Sequence, residues 1–257
     1  MLISRPVRLA LLLAPLLPAP AFAWGDCKFT AERTASVDTS GAARIEIAAR
    51  AGDLALRASS TKVLAANGHA CASSEEILSQ INVQARRNGD IVRVYVEVPD
   101  PSEGLGNAYA SLDLGIAVPA GIPVTLTDSS GDMTIDDVQV ERLTDSSGDI
   151  TARNLPADVE IGDSSGDIRI ENAAGRVQVT DSSGDIVIKG AREVVIPSDS
   201  SGSIRITGVT GDVRIDNDSS GDVSVADIGG AFELVADSSG EVTVSDVKGQ
   251  VTLPQKD

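Results

Sequence analysis

Aromatic residues supply only 2% of the chain: one Trp, two Tyr and three Phe among 257 residues. Ligand clefts are lined largely by apolar and aromatic side chains, so a long glycan cleft is excluded and the core must be aliphatic. Histidine occurs once, at His69. A Ser-His-Asp arrangement needs an imidazole as general base, and none stands in the second half of the chain. Cysteine occurs twice, at Cys27 and Cys71, with no CxxC pair, which excludes a thioredoxin-type motif and the usual zinc-ligand spacing. Base is scarce too: 21 Lys and Arg stand against 38 Asp and Glu, a formal charge of −17. Such a surface repels nucleic acid and anionic lipid and favours cations or basic partners.

The one long apolar run lies at the start. Arg5 and Arg8 precede LALLLAPLLPAPAFA, which ends in a small-x-small site. This pattern predicts a signal peptide over residues 1–23, cleaved after Ala23. Its prolines and short length argue against a retained membrane helix, and no later stretch is long enough to span a bilayer. Trp24-Gly25-Asp26 before Cys27 is not a lipobox. The expected destination is a periplasm, the cell surface or the medium. An even cysteine count in that oxidising compartment predicts a Cys27–Cys71 disulfide. His69, two residues from Cys71 among Gly, Ala and Ser, reads as an exposed loop residue.

What the chain has in abundance is repetition. The tetrad DSSG begins at Asp128, Asp145, Asp163, Asp181, Asp199, Asp218 and Asp237, at spacings of 17 to 19 residues. Such a period means stacked units, none of which buries its apolar face alone. After each Gly and the residue following it, an apolar-x-apolar triplet appears, as in Ile168-Arg169-Ile170. A second triplet follows, as in Val177-Gln178-Val179. Alternation of period two with β-branched residues predicts short half-buried strands. A single apolar position recurs between the triplets, at Val138, Leu155, Ala173, Ala191, Val209, Ile228 and Val247. It is expected to point inward at a corner or from a short third strand. The fold class is therefore all-β, a β-helix-like solenoid with one rung of about 18 residues per strand spacing of about 4.8 Å.

The corner has its own chemistry. Asp and Ser side chains bond nearby backbone N–H groups, and Gly supplies a positive φ. Gly131, Gly148, Gly166, Gly184, Gly202, Gly221 and Gly240 are the expected turn residues. Stacking puts the first Asp of every repeat in one column. It puts Asp132, Asp149, Asp167, Asp185, Ser203, Asp222 and Glu241 in another. Like charges about 5 Å apart repel by roughly 1 kcal/mol in water and by more near a low-dielectric surface. Backbone N–H groups, interleaved Arg or bound cations are the candidates to offset this. Asp128, Asp145, Asp163, Asp181, Asp199, Asp218 and Asp237 are the candidate calcium ligands, since hard cations take carboxylate oxygens. DSSGD nevertheless matches neither the EF-hand loop nor the GGxGxD nonapeptide. No cofactor is otherwise implied.

Residues 24–120 are β-rich but irregular. Arg44–Ile47 and Leu54–Leu56 look like degenerate copies of the repeat strands, the second after Gly52-Asp53. Glu75–Leu78 suits one helical turn. Ile81–Arg87 and Ile91–Val98 flank Asn88-Gly89, a hairpin signal. This region is expected to form the first coils and an N-terminal cap, with the regular solenoid over 121–257. The SGD-I-x-I unit of the second half, preceded by Val118-Pro119-Ala120-Gly121, resembles the bacterial "putative adhesin" domain of unknown function. That resemblance implies an extracytoplasmic β-solenoid and adhesion, and supplies no catalytic residues.

Gly162-Asp163-Ser164 looks like a serine-nucleophile context, and Asp163 with Asp167 like a glycosidase pair. Gly162 is peculiar to one repeat whereas the Ser stands in all seven, and the acid pair recurs in six of the seven repeats, which argues for structure rather than one active site. The leading reading is a non-enzymatic, exported envelope binding, adhesin-like or scaffold protein. Its ligand is an unidentified envelope protein or surface ligand. The alternatives are a self-assembling solenoid that associates end to end, a calcium-binding structural solenoid, and a polysaccharide-active β-helix enzyme.

Overall fold

The structure, a computed structural model, describes residues 27–100 and 108–255. The expected signal segment and its cleavage site lie outside them. The N-terminal region contains β1 (Phe29–Asp38), β2 (Arg44–Ala48), β3 (Leu54–Ser59) and β4 (Val63–Ala72). The single turn α1 (Glu75–Leu78) follows, then β5 (Asn82–Asn88), β6 (Ile91–Glu97) and β7 (Ala110–Pro119). Ser74 caps α1, its Oγ accepting the Ile77 N–H.

The repeats then alternate between two sheets. Each DSSG corner joins one strand of each sheet: β8 (Val124–Thr127) to β9 (Met133–Asp136), β10 (Val140–Thr144) to β11 (Ile150–Arg153), and β12 (Val159–Gly162) to β13 (Ile168–Glu171). The series continues with β14 (Arg176–Thr180) to β15 (Ile186–Ala191) and β16 (Glu193–Ser198) to β17 (Ile204–Val209). It closes with β18 (Val213–Asp218) to β19 (Val223–Ile228), β20 (Phe232–Asp237) to β21 (Val242–Val247), and the short β22 (Val251–Thr252). Neighbouring repeat strands pair in parallel: Ile168 stands between Ile150 and Ile186, and Ile170 between Ala152 and Ile188. The fold is an all-β solenoid of about seven DSSG turns with an antiparallel N-terminal region.

Alternation decides what is inside. Ile168, Ile170, Val177 and Val179 are completely buried, while the interposed Arg169 and Gln178 are partly exposed. Each buried aliphatic contributes about 1.5–3 kcal/mol. Among the described residues Phe232 is the one aromatic ring in the core. Val138, Leu155, Ala173, Ala191, Val209 and Ile228 are buried as well. The last three of these end strands of their sheet and pair rung to rung; the first three sit in the turn that follows it. The outer faces carry ion pairs between rungs, including Arg142–Glu160 at 2.7 Å and Arg153–Glu171 at 3.3 Å.

The N-terminal region is not laid down in chain order. One sheet runs β1-β4-β7-β3-β9 and onward, the other β8-β2-β6-β5 at that end. The β2–β3 rung therefore lies between the β6–β7 rung and the first DSSG rung. β1 and β4 close one sheet with antiparallel pairing, and the β5–β6 hairpin closes the other around Gly89, whose φ is +65°. Cys27 and Cys71 form a disulfide between the start of β1 and the end of β4, 44 residues apart. Closing such a loop stabilises by about 4 kcal/mol on the chain-entropy model.

His69 is a correction. It is not in an exposed loop but inside β4, with its Nδ1 2.9 Å from Glu32 Oε1 on β1. The Ala- and Gly-rich composition of VLAANGHACA reflects close packing rather than looseness. Leu64, Ala66, Ala70 and Ala72 are buried, and a Cβ on Gly68 would come within 2.8 Å of Leu112 Cδ1.

Candidate functional site

The DSSG corner is repeated in seven successive rungs. Its geometry assigns a task to almost every residue. The turn glycines have φ between +118° and +138°, a region closed to side chains. A second restriction comes from stacking: a Cβ on Gly166 would sit 2.1 Å from the Gly148 carbonyl oxygen, and one on Gly184 1.9 Å from that of Gly166. The Gly column extends to Gly52, whose carbonyl lies 2.3 Å from the Cβ position of Gly131. The second Ser donates its hydroxyl to the carbonyl of the first Ser one rung back. Ser165 bonds Ser146, Ser183 bonds Ser164 and Ser201 bonds Ser182, at 3.0–3.2 Å. Ser164 thus serves as a rung acceptor through its carbonyl. Its one candidate base, His69, is in β4 of the antiparallel N-terminal region. Asp163 and Asp167 do not face one site either, since the first is buried and the second exposed.

The acid after the glycine forms a ladder. The Asp149 N–H donates to Asp132 Oδ1 at 3.1 Å, the Asp167 N–H to Asp149 and the Asp185 N–H to Asp167 at 2.9 Å, and the Ser203 N–H to Asp185 at 2.8 Å. Asp222 receives the Glu241 N–H in the same way. The ladder continues into the N-terminal rungs: the Asp132 N–H donates to Asp53 and the Asp53 N–H to Asp113, both at 3.1 Å. The row ends across the antiparallel strands at His69, opposite Asp113, and Glu32, opposite His69. The carboxylates of Asp132, Asp149, Asp167, Asp185, Asp222 and Glu241 belong to exposed residues. For all of these but Glu241 a backbone N–H from the next rung partly offsets the mutual repulsion, and among the described residues none of them forms an ion pair with an arginine.

The first Asp of the repeat behaves otherwise. Asp128, Asp145, Asp163, Asp181, Asp199 and Asp218 are 0–6% exposed; Asp237, on the last rung, is half-buried. Asp145 Oδ1 accepts the Ser146 N–H at 2.8 Å, and Asp181 Oδ1 accepts the Ser182 N–H at 2.7 Å and the Ser183 N–H at 3.3 Å. Both carboxyl oxygens of Asp128, Asp163, Asp199 and Asp218, and one each of Asp145 and Asp181, have no hydrogen-bond partner. Burial pushes Asp128 and Asp199 up to about 7 and Asp145, Asp181 and Asp218 to about 6, and it raises Asp163. Among the described residues no group of three or more His, Cys, Asp and Glu side chains is placed to hold a metal ion.

The opposite corner also carries a column. Asp137, Asn154, Asn172, Gly190, Gly208, Asp227 and Asp246 all have φ between +51° and +76°. Beside it lies an open groove of 590 Å³ on the outside of the second sheet, bordered by Asp158, Glu160, Arg176 and Arg192. Asp158 is fixed there by the Arg176 N–H at 2.7 Å, and Arg192 is 3.5 Å from the same oxygen.

Comparison with solved structures gives several matches of low identity. A "putative adhesin" from Bacteroides fragilis is 13% identical over 88% of this chain and 97% of its own, with a TM-score of 0.46. A "putative adhesin" from Parabacteroides distasonis is 15% identical over 89% and 98%, with a TM-score of 0.43. A "putative lipid binding protein" from the same organism is 15% identical over 86% and 96%, with a TM-score of 0.42. No curated protein matches the chain. The Toastrack DUF4097 family model matches residues 38–215, more than half of the chain and across both the N-terminal rungs and the DSSG repeats, and the chain belongs to that family.

Proposed function

We propose that this protein is an exported, non-enzymatic binding and scaffold protein of the cell envelope, and that its binding surface is the exposed acid ladder. The observation that carries this reading is the continuity of the ladder. Carboxylates run rung by rung from Glu241 down to Asp53 and Asp113, interrupted at Ser203, and one oxygen each of Asp222, Asp185, Asp167, Asp149, Asp132, Asp53 and Asp113 is held by a backbone N–H of the rung above. Residues 121–257 hold 26 acids and 10 bases, so the net field of the repeats is negative and draws in basic groups. The Cys27–Cys71 disulfide supports export, because such bonds persist in oxidising compartments.

The partner class is a basic protein segment or surface ligand. With polylysine as the probe, titration calorimetry of the mature chain is expected to show binding that weakens steeply with salt, as charge contacts are screened. The triple variant Asp149→Asn, Asp167→Asn, Asp185→Asn is expected to bind at least tenfold more weakly. Equal affinity of the variant and the unmodified chain would rule the ladder out as the binding surface.

A second reading rests on the far end of the solenoid. Val235, Val251 and Leu253 are 43–46% exposed there, and β21 and β22 are the outer strands of their sheets. Unpaired edges with apolar side chains pair with other strands, so end-to-end association of copies is the alternative scaffold mode.

A further inference from the structure

We propose that the inner Asp column is a proton-binding column: the folded chain holds Asp128, Asp145, Asp163, Asp181, Asp199 and Asp218 as neutral acids, and release of those protons loosens the DSSG rungs. The device makes the solenoid firmest in acid and progressively softer toward neutral and alkaline pH.

Geometry makes the case. The six carboxyls are 0–6% exposed, and ten of their twelve oxygens lack a hydrogen-bond partner. A buried carboxylate without a partner costs several kcal/mol, and the usual escape is to keep the proton. The charged groups that bear on these six are all carboxyls. Within the column these are Asp145 on Asp128, Asp163 on Asp145 and Asp181, Asp181 and Asp218 on Asp199, and Asp237 on Asp218; from the neighbouring strand-start positions Asp53 acts on Asp128, Asp149 on Asp163 and Asp167 on Asp181. No Lys, Arg or His among the described residues acts on any of them to hold a negative charge in place. The offsets are backbone N–H groups of the following serines, which bond Asp145 and Asp181 and bear on the other four without closing a hydrogen bond. Nor does the fold demand an acid at this position. In the rung below the first DSSG corner the place beside Asp128 is taken by Ala49, which follows the Ala48–Thr127 pair. One rung further it is taken by Val96, and both are buried.

The sign follows from linkage. Carboxyls raised from an ordinary value of 3.8 to about 6 or 7 bind protons in the folded chain that the unfolded chain has already lost. Their contribution is complete below about pH 4 and disappears as pH rises through 6 to 7. Carboxyls held low by partners, such as Asp158 and Glu171, act with the opposite sign. They do so only as the pH falls below about 4.5, outside that window.

The test is urea unfolding of the mature, disulfide-intact chain between pH 4.5 and 8, beside the triple variant Asp163→Asn, Asp181→Asn, Asp199→Asn. The unfolding equilibrium of the unmodified chain is expected to shift toward unfolding by up to tenfold per pH unit for each proton released. The variant, neutral at three positions, is expected to lose about three protons' worth of that slope. Should the variant fail to fold, unfolding the unmodified chain at pH 6 in buffers of different ionisation enthalpy counts the protons directly, and release is expected. Unchanged slope in the variant, proton uptake on unfolding, or stability that rises with pH across this window would overturn the proposal. So would full rescue of alkaline stability by millimolar calcium, which would assign the column to cations.

Discussion

Gly166→Val is expected to lower the unfolding midpoint by roughly 6–12 °C, since about 3 kcal/mol or more is lost and each kcal/mol is worth a few degrees in a chain of this size. Two independent costs fall on one position. Its φ of +134° lies where a β-branched residue is an outlier. Its Cβ would also overlap the Gly148 carbonyl, which belongs to the backbone of the adjacent rung and cannot swing away. The Gly166 N–H donates to Ser183 O at 3.0 Å, so relief by moving the corner would break bonds in the rung above as well. Thermal unfolding of the folded variant beside the unmodified chain checks this. A midpoint within 2 °C of the unmodified chain would mean that the corner is not the close-stacked turn described.

Ile170→Asp carries the other large effect. Ile170 is completely buried between Ala152 and Ile188 in the stacked core. An unpaired charge there costs several kcal/mol on top of about 2 kcal/mol of lost burial. Rungs of a solenoid are held by their neighbours, so β11 and β15 are expected to lose hydrogen-exchange protection together with β13. Arg169→Asp, one residue away, removes an ion pair to Glu171 on a half-exposed face and is expected to cost only about 1 kcal/mol. Comparable losses in the two variants would reverse the assignment of inner and outer faces.

Much of this was legible in the sequence because the solenoid translates chain period directly into space. The alternation in Ile168-Arg169-Ile170 fixes a strand and its buried face, and repetition of that triplet fixes the parallel neighbour. The same parity carried a signal for the inner Asp column: Val159, Ile161 and Asp163 are alternate residues, as are Val177, Val179 and Asp181, so the Asp continues the inward row. At Asp199 and Asp218 that signal is blurred, because each stands three positions after the last buried residue of its strand, Ile196 or Ile215, an odd offset that breaks the alternation, and at Asp199 the β14–β16 pairing shifts register. The second-corner column of Asp137, Asn154, Asn172 and Gly190 was visible too, as left-handed-prone residues at the repeat spacing.

Other features lay beyond local pattern. Inserting the β2–β3 rung between β6–β7 and β8–β9 depends on pairing between segments about 45 to 80 residues apart. Short alternating strands such as Arg44–Ala48 and Ile91–Glu97 are compatible with several neighbours. The ladder's continuation through Asp113 toward His69 and Glu32 depends on the register of those antiparallel strands. Which strands lie next to one another, rather than what each strand is, had to come from the structure.

The central claim is that the repeats build a stacked scaffold held by corner hydrogen bonds, and the proposal that goes with it is that the stack needs no bound cation. Sedimentation velocity on the mature chain, first with millimolar calcium and then with chelator, tests it most directly. An elongated monomer with the same sedimentation coefficient in both conditions is the predicted result. A calcium-dependent change in shape or mass would contradict it, making the Asp columns a cation site, while calcium-independent growth with concentration would favour end-to-end association through β21 and β22.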